Sequence, residues 1–290
     1  LRAVHHHRTD LSQSWHPLGR FVQLVDRHCG PIQVHCVTAG TGPDVVLLHG
    51  YVQSSWCWRH NIDVLARQFR VTAVCALGLG WSDKPLHASY RLAARSERTL
   101  QLLDALGIER AHMVGNSLGG ALAMHLAQNS PSRVGKVVLV NPAVAGHYPM
   151  AWLARTMRPR WRRAFRAPGV SAGFWLGLRV AAYHRVDVDE TYMRHFLGPL
   201  AQPGAVEAAL LVARYYARDL ALVSDRLHDL HAPLHLVIGK HDRIVPATVT
   251  RALGERLPGA AVATFEHSAH CPHEEEPERF NANISAFLRD

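Results

Sequence analysis

Ser117 stands in a pattern that could make its hydroxyl a nucleophile. Residues 115–119 read Gly-Asn-Ser-Leu-Gly, directly after an apolar run, and a helix-forming run extends from Ala121 to Gln128. The pattern predicts a strand, a sharp turn with the serine at its apex and a helix, which is the arrangement called a nucleophile elbow. Glycines two residues before and after the serine leave no Cβ to clash in so tight a turn.

The chemistry expected of this turn is acyl transfer. The backbone N–H of Leu118 would lie at a helix N-terminus, where it could stabilise a developing oxyanion. A glycine-rich turn that only packs is the alternative interpretation of the pentapeptide, so the rest of the chain has to decide between them.

The elements around the serine alternate between strands and helices. Two alternating segments, 21–26 and 32–38, predict an antiparallel hairpin. Wholly apolar or mainly apolar runs predict strands at 44–48, 70–75, 136–140, 234–238 and 260–265, and helical patterns cover 61–68, 92–106, 247–257 and 277–288. This order predicts an α/β fold with a doubly wound, mostly parallel sheet.

The alternation stops at Asn141-Pro142 and resumes after about Ala232. We therefore expect residues 1–141 and 233–290 to form the core, and residues 142–232 to form a helical cap over the carboxyl ends of the strands, where active sites of open α/β sheets lie. The cap is rich in aromatic residues, which predicts an apolar substrate pocket. The residues expected to line it are Trp56, Trp81, Tyr148, Trp152 and Trp175, although many of the aromatics could equally pack the cap on the core.

Motifs in both halves of the core are similar to those of the α/β-hydrolase superfamily, in its serine-nucleophile branch with a helical cap. The matching segments, in the family's order, are His49-Gly50-Tyr51, Gly78 to Pro85, Gly115 to Gly120, Gly239 to Pro246 and Ala269 to Pro277. The resemblance implies a catalytic triad of Ser117, Asp242 and His270, and an oxyanion hole made by the N–H groups of Tyr51 and Leu118.

Alternatives to these assignments exist in the chain. Asp242 could be a helix-capping acid, and His267 and His273 compete with His270. The resemblance implies His270, because the family's histidine stands two residues before one proline and seven before a second. Glu275 matches a family glutamate, for which we expect a scaffolding role. A serine at the elbow excludes the mechanisms of those relatives that use an aspartate nucleophile.

The chain departs from the family pattern at three positions. Cys75 stands where relatives usually carry an aspartate, which puts the buried hydrogen bonds of that position in question. Ala269 replaces a glycine, at little cost if its φ is negative. His241 precedes the expected catalytic acid, where it would either tune the local field or face solvent.

The charge of the chain is strongly positive and unevenly spread. The formal net charge is +9, no Asp or Glu occurs from Arg110 to Val186, and six arginines fall between Arg155 and Arg166. This amphipathic stretch could steer an anionic substrate or lie on an anionic membrane surface, or it could be a solvated face. No nucleic-acid-binding motif accompanies the charge, so no nucleic acid partner is expected.

The composition is typical of a globular protein, and the serine chemistry expected here needs no cofactor. The five cysteines show no paired or zinc-binding spacing, so we expect no metal and a reducing, cytoplasmic compartment, with peripheral membrane association as the alternative. The chain begins at Leu1 and shows no apolar leader segment, although a removed leader is compatible with such a start.

The reaction expected from these features is cleavage of a carboxylic ester through an acyl-serine intermediate. Carbon–carbon bond hydrolysis of ring-cleavage products and acyl transfer to another alcohol use the same triad and stay open. A ligand-binding receptor of hydrolase fold is the alternative from a different class, and turnover of a short-chain aryl ester would distinguish enzyme from receptor.

Overall fold

The computed structural model describes residues 15–145, 173, 176–177, 180–184, 189–257 and 259–289. These residues form one eight-stranded sheet with helices on both faces. The strands are β1 (Gly19–Asp26), β2 (Gly30–Ala39), β3 (Asp44–Leu48), β4 (Arg70–Val74), β5 (Ala111–Asn116), β6 (Val134–Val140), β7 (Leu234–Gly239) and β8 (Ala261–Phe265).

The strand order in the sheet is β1-β2-β4-β3-β5-β6-β7-β8. Strands β1, β2 and β4 pair antiparallel, and all pairs from β4 to β8 are parallel. The antiparallel hairpin and the mostly parallel sheet predicted from the sequence are thereby confirmed. Every residue of β7 is buried, as expected for a strand covered on both faces.

Helices cover the two faces of this sheet. They are α1 (Ile62–Leu65), α2 (Leu92–Ala105), α3 (Leu118–Asn129), α4 (Glu190–Leu197), α5 (Ala205–Asp225), α6 (Ala247–Glu255), α7 (Pro272–Glu275) and α8 (Pro277–Arg289), with short 3-10 turns at Ser55–Trp58, Pro131–Arg133, Pro199–Ala201 and Leu227–Asp229. Because the parallel strands all end at one edge, the loops that follow them meet there.

Helix α1 is shorter than the sequence pattern predicts, so the expected helix over 61–68 is wrong at its C-terminal end. The N–H groups of Gln68 and Phe69 both donate to the carbonyl of Leu65, which tightens the chain into a turn. Phe69 is 2% exposed and inserts into the core, so the chain must turn there to enter β4.

The described part of the segment between β6 and β7, which is the predicted cap and is called the cap below, consists of helices and turns. Helix α4 begins after Asp189, whose side chain caps the N–H of Tyr192, and α5 presents one continuous buried face to the core. None of the described helices alone is long and apolar enough to cross a membrane, although the pair 190–201 and 205–225, bent by 83°, passes that test on length and composition.

Candidate active site

Ser117 occupies the turn between β5 and α3 in a strained backbone conformation. Its φ is 52° and its ψ is −113°, a region that L-residues rarely adopt. A Cβ on Gly115 would collide with the Gly119 carbonyl, and a Cβ on Gly119 would collide with the carbonyl of Leu48. The two glycines of the pentapeptide are therefore required by close backbone contacts, as the sequence pattern predicted.

The strained turn is held from both sides. The N–H of Ser117 donates to the Val140 carbonyl at 2.9 Å, and its own carbonyl accepts from Ala121 and Ala143. These bonds tie the serine to the end of β6 and to the first turn of α3. The surrounding backbone thus fixes the position of the hydroxyl before any substrate arrives.

Asp242 and His270 form a buried hydrogen-bonded pair at the same edge of the sheet. The distance from His270 Nδ1 to Asp242 Oδ2 is 2.7 Å, and the two side chains are 8% and 0% exposed. The other carboxylate oxygen, Oδ1, accepts the N–H groups of Ile244 and Val245 at 2.7 and 2.9 Å. Asp242 therefore caps the turn at residues 242–245 rather than helix α6. Its second carboxylate oxygen, Oδ2, orients the His270 imidazole.

The loop that carries His270 is fastened to the elbow and to the cap. Asn116 Nδ2 donates to the His270 carbonyl at 3.0 Å, and the His270 N–H donates to the Ala182 carbonyl at 2.9 Å. Glu275 accepts the N–H of Ala269 with Oε2 and the N–H of His184 with Oε1, both at 2.7 Å. The scaffolding contacts expected for Glu275 are present, and they extend into the cap.

Asn141, after β6, holds the two loops of the acid and the base together. Its φ is 42°, its Oδ1 accepts the N–H of Gly239 at 3.0 Å and its Nδ2 donates to the carbonyl of Ala269 at 2.9 Å. Both polar atoms of the Asn141 side chain bond backbone groups, and Asp242 rather than Asn141 bonds the His270 ring, so Asn141 positions the loops. Ala269 itself is absent from the positive-φ residues of the described chain, and it therefore replaces glycine without backbone strain.

The other histidines near the site do not occupy the position of a base. His267 is exposed, and His273 is fully buried against the ring of Trp58, with centroids 4.2 Å apart. His241 stacks on His184 of the cap, with centroids 3.9 Å apart and planes 10° apart. His241 therefore contacts the cap rather than simply facing solvent.

The loop after β3, residues 49–55, is the candidate oxyanion loop because it carries the Tyr51 N–H. His49 donates from Nδ1 to the Gly50 carbonyl at 2.7 Å and accepts the Ala76 N–H at Nε2. Burial lowers the pKa of His49 to about 4, so the imidazole stays neutral and can play both roles. A Cβ on Gly50 would lie 3.3 Å from Ser117 Cβ, which places this loop directly beside the nucleophile.

Gln53 braces the same loop, and the sequence analysis did not identify it. Its Oε1 accepts the Gly50 N–H at 2.7 Å, and its Nε2 lies 3.5 Å from Cys271 Sγ, next to His270. Val52 has a φ of 57°, which is unusual for a β-branched residue. No sequence signal marks this brace. Gln53 connects Gly50, 3 positions away, with Cys271, 218 positions away, and the two come together only in the folded chain.

Cys75 does form buried hydrogen bonds, which answers the question raised by the missing aspartate. Its Sγ accepts the Ser55 N–H at 3.2 Å and lies 3.4 Å from His35 Nδ1. Burial opposes the thiolate, but His35 and Ser55 lower the pKa of Cys75 to about 7. The Cys75 sulfur thus takes the place of the aspartate carboxylate of relatives, as the acceptor for the backbone N–H of Ser55 at the end of the oxyanion loop.

The two described residues of the predicted pocket are buried between core and cap. Trp56 is 7% exposed, stacks on His195 of α4 and lies under the Arg59 guanidinium. Trp81 is 3% exposed and packs at Gly198, after α4. The remaining predicted pocket residues, Tyr148, Trp152 and Trp175, lie outside the described residues, as does the basic stretch from Arg155 to Arg166.

Among the described residues, one group of side chains has the composition of a metal site. Potential ligand atoms of Cys271, His273 and Glu274 lie within 4.8 Å of one another. The Glu274 carboxylate already accepts Arg59 Nη1 at 2.6 Å and the Tyr183 hydroxyl at 2.7 Å. The Glu274 carboxylate therefore has partners already, and it links Arg59 of the core to Tyr183 of the cap.

A strained serine at an elbow, beside a buried aspartate–histidine pair, defines the class of serine hydrolases. The family model described as the α/β hydrolase fold matches residues 43–277. The chain belongs to the α/β-hydrolase family, and it is a serine hydrolase.

Named relatives cover nearly the whole chain. The 2-hydroxy-6-oxononadienedioate/2-hydroxy-6-oxononatrienedioate hydrolase of Burkholderia vietnamiensis is 30% identical over 264 residues, which are 89% of this chain and 91% of the relative. The pimeloyl-[acyl-carrier protein] methyl ester esterase of Vibrio campbellii is 31% identical over 261 residues, which are 88% and 98% of the two chains.

Solved structures show the same fold at lower identity. The meta-cleavage product hydrolase of Pseudomonas fluorescens IP01 superposes with a TM-score of 0.77 at 24% identity, covering 92% of this chain and 97% of the other. A thermophilic esterase from Thermogutta terrifontis gives 0.77 at 21% identity, with coverages of 93% and 98%.

Proposed function

We propose that the enzyme cleaves a small carboxylic ester through an acyl intermediate on Ser117. The observation that carries this proposal is the 2.7 Å bond between Asp242 and His270, at the edge of the sheet where the strained serine lies. A serine hydroxyl is a weak nucleophile near neutral pH, so it needs a base, and the base needs a fixed orientation. The Asp242–His270 pair supplies both.

Each residue has one task in this reaction. Because Nδ1 of His270 bonds Asp242, Nε2 is left to take the Ser117 proton during attack on the ester carbonyl. The imidazolium then gives that proton to the leaving alcohol, and a water attacks the acyl-enzyme with His270 again as the base. The Asp242 carboxylate is held in place by two backbone N–H groups at Oδ1, and its Oδ2 contacts the imidazole throughout the reaction.

The oxyanion of the tetrahedral intermediate would be held by the N–H groups of Tyr51 and Leu118. Leu118 is the first residue of α3, so its N–H has no partner within the helix. The positive end of the helix dipole also favours a negative charge at this point. Ordered donors of this kind supply a large share of the rate enhancement of acyl transfer.

Carbon–carbon bond hydrolysis is the second candidate reaction. The relative from Burkholderia vietnamiensis is named for the hydrolysis of such a dienedioate, whereas the relative from Vibrio campbellii is named as a methyl ester esterase. Both names fit a serine, histidine and aspartate in this arrangement. The choice between them depends on the substrate pocket, which includes cap residues.

The basic composition supports a preference for anionic substrates or surfaces. The six arginines from 155 to 166 fall in a stretch without acidic residues. Such charge would raise the local concentration of an anionic ester or attract an anionic membrane, and salt would weaken either effect. The five cysteines carry free thiols, which supports a reducing, cytoplasmic location.

The test is a substrate panel combined with Ser117→Ala. Aryl esters of increasing acyl length, neutral and anionic, are assayed beside ring-cleavage dienoates, with the fold of each variant checked by circular dichroism. We expect ester turnover that falls at least about a thousandfold in Ser117→Ala. Turnover of dienoates alone would favour the carbon–carbon reaction, and an active Ser117→Ala variant would overturn the nucleophile.

A further inference from the structure

Two tyrosine hydroxyls connect the cap helix α5 with the two residues of the candidate oxyanion hole. Tyr51 donates its hydroxyl hydrogen to the carbonyl of Ala209, and Tyr216 donates its own to the carbonyl of Leu118. The distances are 2.9 and 3.0 Å. Ala209 and Tyr216 both belong to α5, so one helix contacts both arms of the site.

Both hydroxyls are donors that stay protonated in the ordinary pH range, and Tyr216 is fully buried whereas Tyr51 is half-buried. Burial raises the pKa of Tyr51 and of Tyr216 above the usual value of a tyrosine. Tyr216 is 0% exposed, and so is Ala209. A buried donor that loses its acceptor costs free energy, so each bond favours one position of α5 relative to the core.

Helix α5 is in turn fixed to the core by contacts outside the site. Asp219 accepts the Leu92 N–H at 2.6 Å and Arg91 Nε at 2.7 Å, at the start of α2. Near the end of α5, Gln128 Nε2 donates to the Val223 carbonyl at 3.0 Å. The helix is therefore a fixed support to which the oxyanion residues are attached, rather than a loosely placed lid.

We propose that α5 sets the geometry of the oxyanion hole through the hydroxyls of Tyr51 and Tyr216, which makes these two tyrosines positioning residues of the reaction. The inference rests on the proposed function, because it concerns the donors of that same site. The Tyr51 hydroxyl holds the loop that presents the Tyr51 backbone N–H to the oxyanion. The Tyr216 hydroxyl holds the first turn of α3, which presents the N–H of Leu118. Neither hydroxyl needs to touch the substrate.

The expected effect follows from the demands of an oxyanion hole. Its donors must lie 2.7–3.1 Å from the oxygen of the transition state, and complete loss of one donor costs about 10²–10³ in kcat. Removing a hydroxyl that only positions a donor should cost less, about tenfold in kcat. KM should change less than twofold, because the ester carbonyl of the ground state uses these donors weakly.

The experiment compares Tyr51→Phe, Tyr216→Phe and the double variant with Tyr90→Phe. Tyr90 is a matched control, since it is 0% exposed and its hydroxyl donates to the carbonyl of Pro85, away from the oxyanion residues. Each variant is measured for kcat and KM with one aryl ester, for the affinity of a trifluoromethyl ketone that forms a tetrahedral adduct, and for thermal stability.

The supporting result is a kcat loss in the Tyr51 and Tyr216 variants, with a parallel loss of ketone affinity and unchanged KM. Tyr90→Phe should lose stability to a similar extent and retain its kcat. If the two variants match Tyr90→Phe in kcat and ketone affinity, the positioning role is wrong while the proposed function stands. If the wild-type protein neither turns over the ester nor binds the ketone, the proposed function fails instead.

Discussion

Two aspartates in this molecule are built into nearly the same local structure and have different partners. Asp242 accepts the N–H groups two and three residues ahead with Oδ1 and contacts His270 with Oδ2. Asp26 accepts the N–H groups of His28 and Cys29 with Oδ1 and contacts Arg98 Nε with Oδ2 at 2.7 Å. Both carboxylates are buried.

The difference between the two sites lies in what the partner can do with a proton. A guanidinium stays charged at all ordinary pH values, so the Asp26–Arg98 pair can only hold β1 against α2. An imidazole gains and loses a proton near neutral pH, so the Asp242–His270 pair can support catalysis. The same kind of turn thus holds both buried aspartates, and the partner of the second carboxylate oxygen determines whether the pair has a structural or a catalytic role.

The largest expected effect is that of Asp242→Asn on the rate. The amide would present a donor to His270 Nδ1 and favour the wrong tautomer, so kcat should fall by on the order of 10⁴-fold. The free energy of unfolding should change by less than about 2 kcal/mol, because the amide oxygen can still accept the two backbone N–H groups. Ester kinetics and urea titration check both values, and a variant with near wild-type kcat would remove Asp242 from the mechanism.

The second prediction concerns Asp26→Asn, which should show the opposite pattern. It leaves the Arg98 guanidinium, 5% exposed, without a charge partner, which costs about 3–5 kcal/mol of stability. The kcat of the folded fraction should stay at the wild-type value. Asp104→Asn is the control, since it breaks an exposed pair with Arg133 that is worth about 0–1 kcal/mol. Equal stability of the two variants would show that burial of the Asp26 pair does not matter.

The third prediction is the acid dependence of stability. Burial opposes ionisation of Asp26, but the bonds from Cys29, His28 and Arg98 outweigh it and lower its pKa from 3.8 to about 2. The carboxylate therefore contributes stability above pH 3.8 that is lost as the pH falls through 2, on the order of 2 kcal/mol in total. Urea titrations from pH 5 to 2 should show this loss in the wild type, and a smaller one in Asp26→Asn.

The smallest predicted effect is that of Cys29→Ala. The Cys29 thiol lies 3.1 Å from Asp26 Oδ1, and burial together with that carboxylate raises its pKa to about 11, so the thiol stays a donor. Its removal should cost about 0.5–1.5 kcal/mol and raise the pKa of Asp26. Cys29→Ser keeps a donor and should recover part of the loss. A Cys29→Ala variant as stable as the wild type would show that the thiol adds nothing to the turn.

The sequence predicted the sheet because its signals are local, and the resemblance of five motifs to the family implied the three triad residues. Buried strands read as apolar runs, the elbow needs its glycines within two residues of Ser117, and the spacing to two prolines distinguished His270 from His273. The long-range contacts left no such signal. Tyr51 and Ala209 are 158 residues apart, Gln53 and Cys271 are 218 apart, and either pair becomes visible only when the chain is folded.

Local patterns also misled where tertiary packing decides. The helical pattern over 61–68 continued past Leu65, but burial of Phe69 required a turn there. The replacement of an aspartate by Cys75 suggested a lost hydrogen-bond network, whereas the thiol accepts the same kind of backbone donor. The Asp26 turn shows the converse case, since its backbone bonds resemble those of Asp242 but its second carboxylate oxygen contacts a guanidinium instead of an imidazole.

The most direct test of this account is the rate at which a fluorophosphonate labels the serine, followed by intact-protein mass spectrometry. We expect one label on Ser117 of the wild type, none on Ser117→Ala, strongly slowed labelling of Asp242→Asn, and wild-type labelling of folded Asp26→Asn. Labelling of a different residue, or equal rates for the Asp242 and Asp26 variants, would contradict the claim that the Asp242–His270 pair activates Ser117.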